Sequence, residues 1–464
     1  MIESTSLSHL AKIEEGILTG SDVLISSISI DTRTLKKGDL FVAIKGEAFD
    51  GHQYINQAEK AGCSGIVAEK ELVSSTPSLR VKNTVKALGA LSGVNRDVFK
   101  GTVFGLTGSS GKTTTKNMLA TILKEKAPTC ATEGNFNNEI GVPLTLLNIA
   151  KEHRFAVIEM GARSVGDISY LGQFVKPDVA ILLNAGVAHI DIFGSHENIV
   201  TAKGEIFGSL GENGIAVLNA DDPAAELWAK QLQGKAVYSF ALSEAAFDKP
   251  ELNALNGQHL KLWAEAINCH EEFSLFTLHF NGQTQEIKLS APGMHNVSNS
   301  LAAAAAAISV GVSLETVAKG LSKIENSGGR LNTIKVKGGL RLIDDSYNAN
   351  PESMVAALKV LSLYEGDKVA VLGEMAELGE LSEKLHCELA EYALTTRIDK
   401  FYLTGTFAAA MKEIIGDKAQ CFKTNVLLAD QLRKELVNGE TVLVKGSRSS
   451  AMDEVVELIK RRVQ

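Results

Sequence analysis

The stretch Thr102 to Met118, Thr-Val-Phe-Gly-Leu-Thr-Gly-Ser-Ser-Gly-Lys-Thr-Thr-Thr-Lys-Asn-Met, carries the residue types that hold a phosphate chain. Thr107, Gly108, Ser109, Ser110 and Gly111 are small enough for the backbone to close around an anion, so that successive N–H groups and a helix N-terminus face it. Lys112 would then reach the terminal phosphates, and the Thr113 hydroxyl, followed by Thr114, would ligate Mg²⁺. The common phosphate loop spells Gly, four residues, Gly-Lys-Ser/Thr; here Leu106 stands at the first Gly position and the glycines fall at 105, 108 and 111. A glycine-rich turn with an exposed lysine is the plainer reading. An apolar strand before the loop and a helix after it favour a nucleoside-triphosphate site instead.

Glu159 closes an apolar run and His189 follows another, and with Thr113 they form a candidate Mg²⁺ constellation. A hard cation that keeps several waters needs only a carboxylate, a hydroxyl and the phosphates. Histidine is a poorer Mg²⁺ ligand, so His189 also reads as a phosphate hydrogen-bond donor or a loop histidine. Lys203 sits among Ala202, Gly204 and Ile206 in a helical stretch, where a solvated face is the default. Asp344 and Asp345 stand beside Asn348 and Asn350, a group that suits a ribose and base edge or caps a helix at Pro351. Lys445-Gly-Ser447-Arg448 is a basic turn suited to a carboxylate or phosphate, or a turn with a serine cap. Ser29-Ile-Asp31-Thr32-Arg33 and Lys45-Gly46 through Asp50-Gly-His52 read, from their residues alone, as a turn and a loop.

The elements that must position these groups alternate. Val23–Ile30, Asp39–Ile44 and Gly65–Ala68 read as strands and Gln53–Ala61 as a helix. From Gly101 the pattern becomes strand and helix in turn, with strands at Arg154–Gly161, Asp178–Asn184, Gly214–Asn219 and Lys235–Phe240 and a helix over Ser195–Leu210. Such alternation implies a largely parallel sheet whose ligands gather beyond the carboxyl ends of the strands. Residues 256–290 switch to two-residue alternation around Asn281-Gly282, the signature of an antiparallel edge. Helices follow over His295–Val310 and Leu314–Lys323, then a linker at Asn326–Arg330. A second βα series has strands beginning near Arg341, Lys368, Lys400 and Thr441. The expected class is α/β in three domains. These are a small mixed N-terminal domain (1–98), a central phosphate-loop domain with a parallel sheet and antiparallel edge (99–326), and a C-terminal Rossmann-like domain (327–464).

With 464 residues, several domains are expected. A net charge of −8 argues against a general nucleic-acid or membrane-surface binder, so any anionic ligand must be met by local lysines and arginines. The five cysteines are widely spaced with no Cys-x-x-Cys pair, which fits free thiols rather than a disulfide framework or a zinc site. Met1-Ile-Glu-Ser-Thr-Ser lacks the regions of a signal peptide, and the near-apolar run Leu301–Val312 is too short to span a bilayer. A cytoplasmic protein is expected.

Taken together the segments resemble the Mur ligase family over essentially the whole chain. The resemblance rests on Ser-Ile-Asp-Thr-Arg33, Leu-Phe-Val-Ala-Ile-Lys-Gly46, the Thr-Gly-x-x-Gly-Lys-Thr loop, Gly134-Asn-Phe-Asn-Asn-Glu-Ile-Gly-Val-Pro143, Asn184-Ala-Gly-Val-Ala-His189 and Ala202-Lys-Gly-Glu-Ile-Phe207. It continues through Gly293-Met-His-Asn-Val-Ser-Asn299, Gly-Gly-Arg330, Asp344-Asp-Ser-Tyr-Asn-Ala-Asn-Pro-Glu-Ser353 and Leu372-Gly-Glu-Met-Ala-Glu-Leu-Gly379. The last two point to the branch that joins D-alanyl-D-alanine to UDP-N-acetylmuramoyl-tripeptide. The resemblance implies a bacterial, monomeric, ATP-dependent ligase of peptidoglycan precursor synthesis that works through an acyl phosphate with two Mg²⁺ ions. It implies a uridine-sugar site at Ser29, Asp31, Thr32, Arg33, Lys45, Gly46, Asp50 and His52, and adenine contacts from Asn296 and Asn299. It further implies nucleotide contacts from Arg330, Asp345 and Asn348, substrate contacts from Asn137, Asn138, Asn350, Lys445, Ser447 and Arg448, and a carbamylated, metal-ligating Lys203. Arg330 and Asp345 would have to close over the nucleotide about a hinge at Asn326–Gly329.

Overall fold

The computed structural model describes residues 1–460, apart from 47–48, 326–327, 337–338 and 437–438. Its strands form three main sheets, one for each expected domain. The first is five-stranded, in the order Ile17–Thr19, Ser78–Arg80, Gly65–Ala68, Leu40–Val42, Ile28–Ser29, and is parallel except at its first pair.

Val23–Ile30 is not one strand. Leu24–Ile25 pairs antiparallel with Thr5–Ser6 in a separate two-stranded ribbon, while Ile28–Ser29 joins the five-stranded sheet. The break falls at the serines: Ser27 donates its hydroxyl to Asp39 at 2.5 Å and its carbonyl accepts from Leu40 N–H at 2.9 Å, which hands the chain to its second partner.

The central sheet has nine strands. Its order is Gln283–Leu289, Ser274–Phe280, His259–Cys269, Ala236–Ala241, Ile215–Asn219, Val179–Leu182, Thr102–Thr107, Phe155–Glu159, Thr129–Ala131. The first three are the expected antiparallel edge, turned at Asn281 (φ 49°) and Gly282 (φ 75°), both left-handed as a tight hairpin requires. The other pairings are parallel, and the phosphate-loop strand Thr102–Thr107 lies between Val179–Leu182 and Phe155–Glu159. The alanine-rich helix Met294–Ser309 is buried against the phosphate-loop helix Lys112–Lys124, with Met118, Leu119, Leu301 and Ala305 in one core. Small side chains allow that close approach: a Cβ on Gly111 would lie 2.2 Å from Asn299 Oδ1. The helix His196–Gly208 starts at the expected place because Ser195 caps it, accepting from Asn198 N–H at 3.2 Å.

The third sheet runs Asn332–Lys335, Arg341–Asp345, Thr441–Lys445, Lys368–Leu372, Lys400–Thr404, Ala419–Phe422. Only its first pair is antiparallel. Part of the expected hinge, residues 326–327, lies outside the described residues. Gly329 beyond it takes φ 73°, and its carbonyl accepts from Tyr347 N–H at 3.0 Å. Among the described residues all five cysteines are free, and no helix is long and apolar enough to cross a membrane.

Candidate active site

The loop between strand Thr102–Thr107 and helix Lys112–Lys124 wraps as its composition predicts. Gly111 holds φ 79°, and a Cβ on Gly108 would come within 2.9 Å of Leu183. Asn184 clamps the loop from the neighbouring strand's end: its carbonyl accepts from Ser109 N–H (3.0 Å) and its side-chain oxygen from Ser110 N–H (2.9 Å). Thr107 donates to the Met160 carbonyl at 2.8 Å, so it anchors the loop from behind. Lys112 curls over the loop, donating to the carbonyls of Gly108 (2.7 Å) and Ser109 (3.2 Å), and burial pushes its pKa down. An incoming phosphate chain would offer this ammonium charged acceptors in place of neutral ones.

Glu159, 1% exposed, sits at the end of its strand beside that loop. Its carboxylate accepts from the Thr113 hydroxyl at 2.9 Å and from Asn137 Nδ2 at 2.8 Å. Among the described residues no three His, Cys, Asp or Glu side chains cluster as a metal-holding group. The donor set still fits Mg²⁺, which takes one or two protein oxygens and fills its shell with phosphates and water. His189 holds left-handed backbone (φ 61°), and its Nδ1 pairs with Glu377 from the third domain. Burial lowers its pKa, and Glu377 pulls it part of the way back.

Lys203 is not on a solvated face. It is 2% exposed, its ammonium lies 5.5 Å from the Phe193 ring centre, and it is absent from the cavity wall that Thr113, Glu159 and His189 share. Burial, then the Lys112 charge, pushes its pKa down to about 7.

The third domain supplies the opposite wall. Arg330 stacks over the Tyr347 ring, 4.1 Å from its centre. Asp345 and Lys445, on adjacent strands, form a buried ion pair at 2.7 Å, and Lys445 also donates to the Asn348 carbonyl at 2.9 Å. Burial raises the Asp345 carboxyl while Lys445 draws it down again. Asn350 caps helix Pro351–Leu361 with its oxygen and reaches Ser110 Oγ with its nitrogen at 2.8 Å. Two residues of the basic turn after Lys445 do not reach the site. Ser447 is buried against Ser449 and Ser450, and Arg448, 70% exposed, pairs with Asp453 at 3.0 Å.

One cavity of about 1220 Å³ gathers these groups. Ser109 to Thr114, Glu159 and His189 line it from the central sheet, Asn137 and Asn138 from the loop before helix Gly141–Leu147, and Asn296 and Asn299 from the alanine-rich helix. Arg330, Asp345, Asn348, Asn350 and Lys445 line it from the third domain. Among the described residues of the first domain, only Ile30 lines it. The expected uridine-sugar residues lie apart from it, tied to one another. Arg33 pairs with Asp31 at 2.6 Å, holding the Asp31 carboxyl down at about 2. Ser29 donates to the Asp31 carbonyl at 2.9 Å and Thr32 to Gln57 at 3.2 Å. The backbones of Lys45 and Asp50 form an isolated antiparallel bridge, Gly46 N–H donates to the Phe49 carbonyl, and His52 pairs with Asp50 at 2.6 Å. Asn184, Glu352 and Glu377 were not singled out by residue type, although each lies in a segment that carried the family resemblance. Glu352 accepts from Val187 N–H at 3.0 Å, across the same domain junction.

Comparison with known proteins places this architecture. Residues 24–92, 106–307 and 329–448 match the descriptions "Mur ligase family, catalytic domain", "Mur ligase middle domain" and "Mur ligase, glutamate ligase domain". The chain is 39% identical over 464 residues to the UDP-N-acetylmuramoyl-tripeptide–D-alanyl-D-alanine ligase of Escherichia coli K12, covering 98% of each chain. It is 32% identical over 470 residues to the ligase of that name from Bacillus subtilis 168, again covering 98% of each. Among solved structures, MurF from Acinetobacter baumannii superposes with a TM-score of 0.90 at 34% identity over 99% of both chains. MurF from Thermotoga maritima in complex with ADP gives 0.82 at 32% identity, over 94% of this chain and 97% of that one. With all three domains matched in order and relatives aligned end to end, the chain belongs to the Mur ligase family.

Proposed function

We propose that the protein is an ATP-dependent ligase that adds D-alanyl-D-alanine to UDP-N-acetylmuramoyl-tripeptide in peptidoglycan precursor synthesis, acting as a cytoplasmic monomer. The observation that carries this reading is a single cavity joining the phosphate loop to Arg330, Asp345 and Lys445 of the third domain. It stands in a chain that aligns over its length with the E. coli ligase.

A carboxylate is a poor electrophile, so the tripeptide's terminal carboxylate oxygen first attacks the γ-phosphorus of ATP, and ADP leaves. The amine of D-alanyl-D-alanine then attacks the acyl-phosphate carbon, the C–O bond breaks, and inorganic phosphate departs as the amide forms. Such phosphoryl transfer needs alignment and charge neutralisation rather than covalent help. Lys112 exchanges the loop carbonyls for the β- and γ-phosphates, and Arg330, held flat on Tyr347, faces the transferred group. Thr113 and Glu159 would hold Mg²⁺, which when bound neutralises phosphate charge. Asn296 and Asn299 flank the adenine, and Asp345 and Asn348 hold the ribose side. Asn137 and Asn138 orient the tripeptide end; Asn350 and Lys445 face the dipeptide, where the Lys445 ammonium suits its carboxylate. The patch of Ser29, Asp31, Thr32, Arg33, Lys45, Gly46, Asp50 and His52 anchors the uridine diphosphate end of the long substrate.

Lys203 suits carbamylation. Its pKa near 7 leaves much of the amine neutral, and the neutral amine is the form that adds carbon dioxide. The carbamate would turn a buried cation into a carboxylate-like group of the kind that holds Mg²⁺. A mass gain of one carbon dioxide on the Lys203 peptide in bicarbonate, absent without it, is expected.

Phosphate release from Mg-ATP tests the whole reading. With UDP-N-acetylmuramoyl-tripeptide present, release should require D-alanyl-D-alanine, and the product should be heavier by that dipeptide less water. Release with a single amino acid and a shorter UDP-sugar would instead assign the chain to a sibling activity.

A further inference from the structure

The loop after strand Lys368–Leu372 carries Glu377 to the rim of the phosphate loop, where its two carboxylate oxygens serve two different loops of the central domain. One oxygen accepts from Arg163 Nη2 at 2.9 Å, and the other pairs with His189 Nδ1. Arg163 follows strand Phe155–Glu159 and His189 follows strand Val179–Leu182, the two strands that flank Thr102–Thr107. A single third-domain carboxylate therefore spans the phosphate loop from side to side.

The backbone is built for that contact. The Glu377 carbonyl accepts from Asp191 N–H at 3.4 Å, and Gly379 packs so closely that a Cβ would lie 2.5 Å from Asp191 Oδ1. Glu377 and His189 themselves both hold left-handed conformations, φ 60° and 61°. Non-glycine residues keep such conformations where their surroundings over-determine them.

A carboxylate can only accept hydrogen bonds, so the proton of this pair sits on His189 Nδ1. When the ring is neutral, Nε2 then carries the lone pair, on a residue that lines the cavity. Resting on the ligase reading above, we propose that Glu377 is the positioning residue through which third-domain closure fixes His189 as its Nδ1–H tautomer. His189 is thereby an acceptor toward a cation, not a hydrogen-bond donor to phosphate. Closure and the choice of tautomer become one event, since the carboxylate arrives with the third domain.

The test uses the whole protein labelled with ¹⁵N-histidine, with a non-hydrolysable ATP analogue bound and no acceptor present. The His189 signal is assigned from its loss in H189Q. Long-range nitrogen–proton spectra should show the Nδ1–H form in the natural chain and movement toward Nε2–H in E377A. Loss of such an orienting partner typically costs about 10- to 100-fold. The kcat of E377A should fall by that factor with KM for ATP little changed, and E377D should recover part of both the rate and the tautomer. An unchanged His189 tautomer in E377A, or a kcat within about twofold of the natural chain, would overturn the proposal. A tautomer that shifts in E377A, alongside a natural chain that ligates no D-alanyl-D-alanine, would overturn the functional reading and leave the role of Glu377 standing.

Discussion

Gly186→Ala should loosen the junction between the central and third domains without unfolding either. A Cβ at Gly186 would lie 2.6 Å from Glu352 Oε1, the same oxygen that accepts from Val187 N–H at 3.0 Å. The methyl group meets the tip of a flexible side chain, so Glu352 can swing aside, but only by releasing that hydrogen bond. A bond to a charged group is worth about 1.5–3 kcal/mol net, and this one is exposed, so the lower end applies. Gly186 is not in the left-handed region, so alanine costs no backbone strain there and restricts the unfolded chain, a gain of about 0.4–1 kcal/mol. The two effects act on different equilibria. Closure should weaken by about 1.4 kcal/mol, roughly tenfold, while global stability stays nearly level. Small-angle scattering should show less compaction with Mg-ATP and UDP-sugar substrate, kcat/KM should drop about tenfold, and Tm should move by no more than about 4 °C. Full compaction with unchanged kcat/KM would refute the role given to this contact, as would a large fall in Tm.

Three further outcomes follow from the same geometry. In Lys203→Met, with bicarbonate removed, the pH dependence of stability should flatten: the folded lysine releases its proton near pH 7 and the unfolded one near 10.5. Between those values the unfolded chain binds more protons, so the natural protein gains stability as pH rises, by at most about 1.4 kcal/mol per unit, and loses it as pH falls toward 7; urea unfolding at about pH 7.5 and about pH 9 reads the difference. Lys445→Ala strands the buried Asp345 carboxylate and should cost about 3–5 kcal/mol in chemical denaturation, part of it restored by adding Asp345→Asn. Gly111→Ala must hold φ 79° and displace Asn299 Oδ1; where the loop relaxes in the free protein, ATP binding should weaken by about 5- to 30-fold in calorimetry, since regaining the left-handed backbone costs about 1–2 kcal/mol.

What could be read in the sequence was local or tied to strand ends. Gly111, Lys112 and Thr113 announce themselves because the phosphate loop is contiguous. Glu159 and His189 line one cavity with the phosphate loop, as expected where a parallel sheet puts its loops beyond the carboxyl ends of its strands. Pairing partners were not legible: nothing in Val23–Ile30 says that Leu24–Ile25 and Ile28–Ser29 belong to different sheets. Burial of a charge was equally hidden. Lys203 has the helical setting of a surface lysine, and only the packing of Phe193 over it shows otherwise. The stretch Lys445–Arg448 reads as one basic turn, yet the chain swings away after Lys445, so Arg448 meets Asp453 instead of the cavity. Glu377 depends on a left-handed backbone and on two partners distant in sequence, a conjunction that no short segment encodes.

The most direct test of the central claim is oxygen transfer. UDP-N-acetylmuramoyl-tripeptide labelled with oxygen-18 in its terminal carboxylate should, on ligation with D-alanyl-D-alanine and Mg-ATP, pass one labelled oxygen to each phosphate released. Phosphate without label, formed alongside the ligated product, would contradict an acyl phosphate and with it the roles given to Lys112, Glu159 and Arg330.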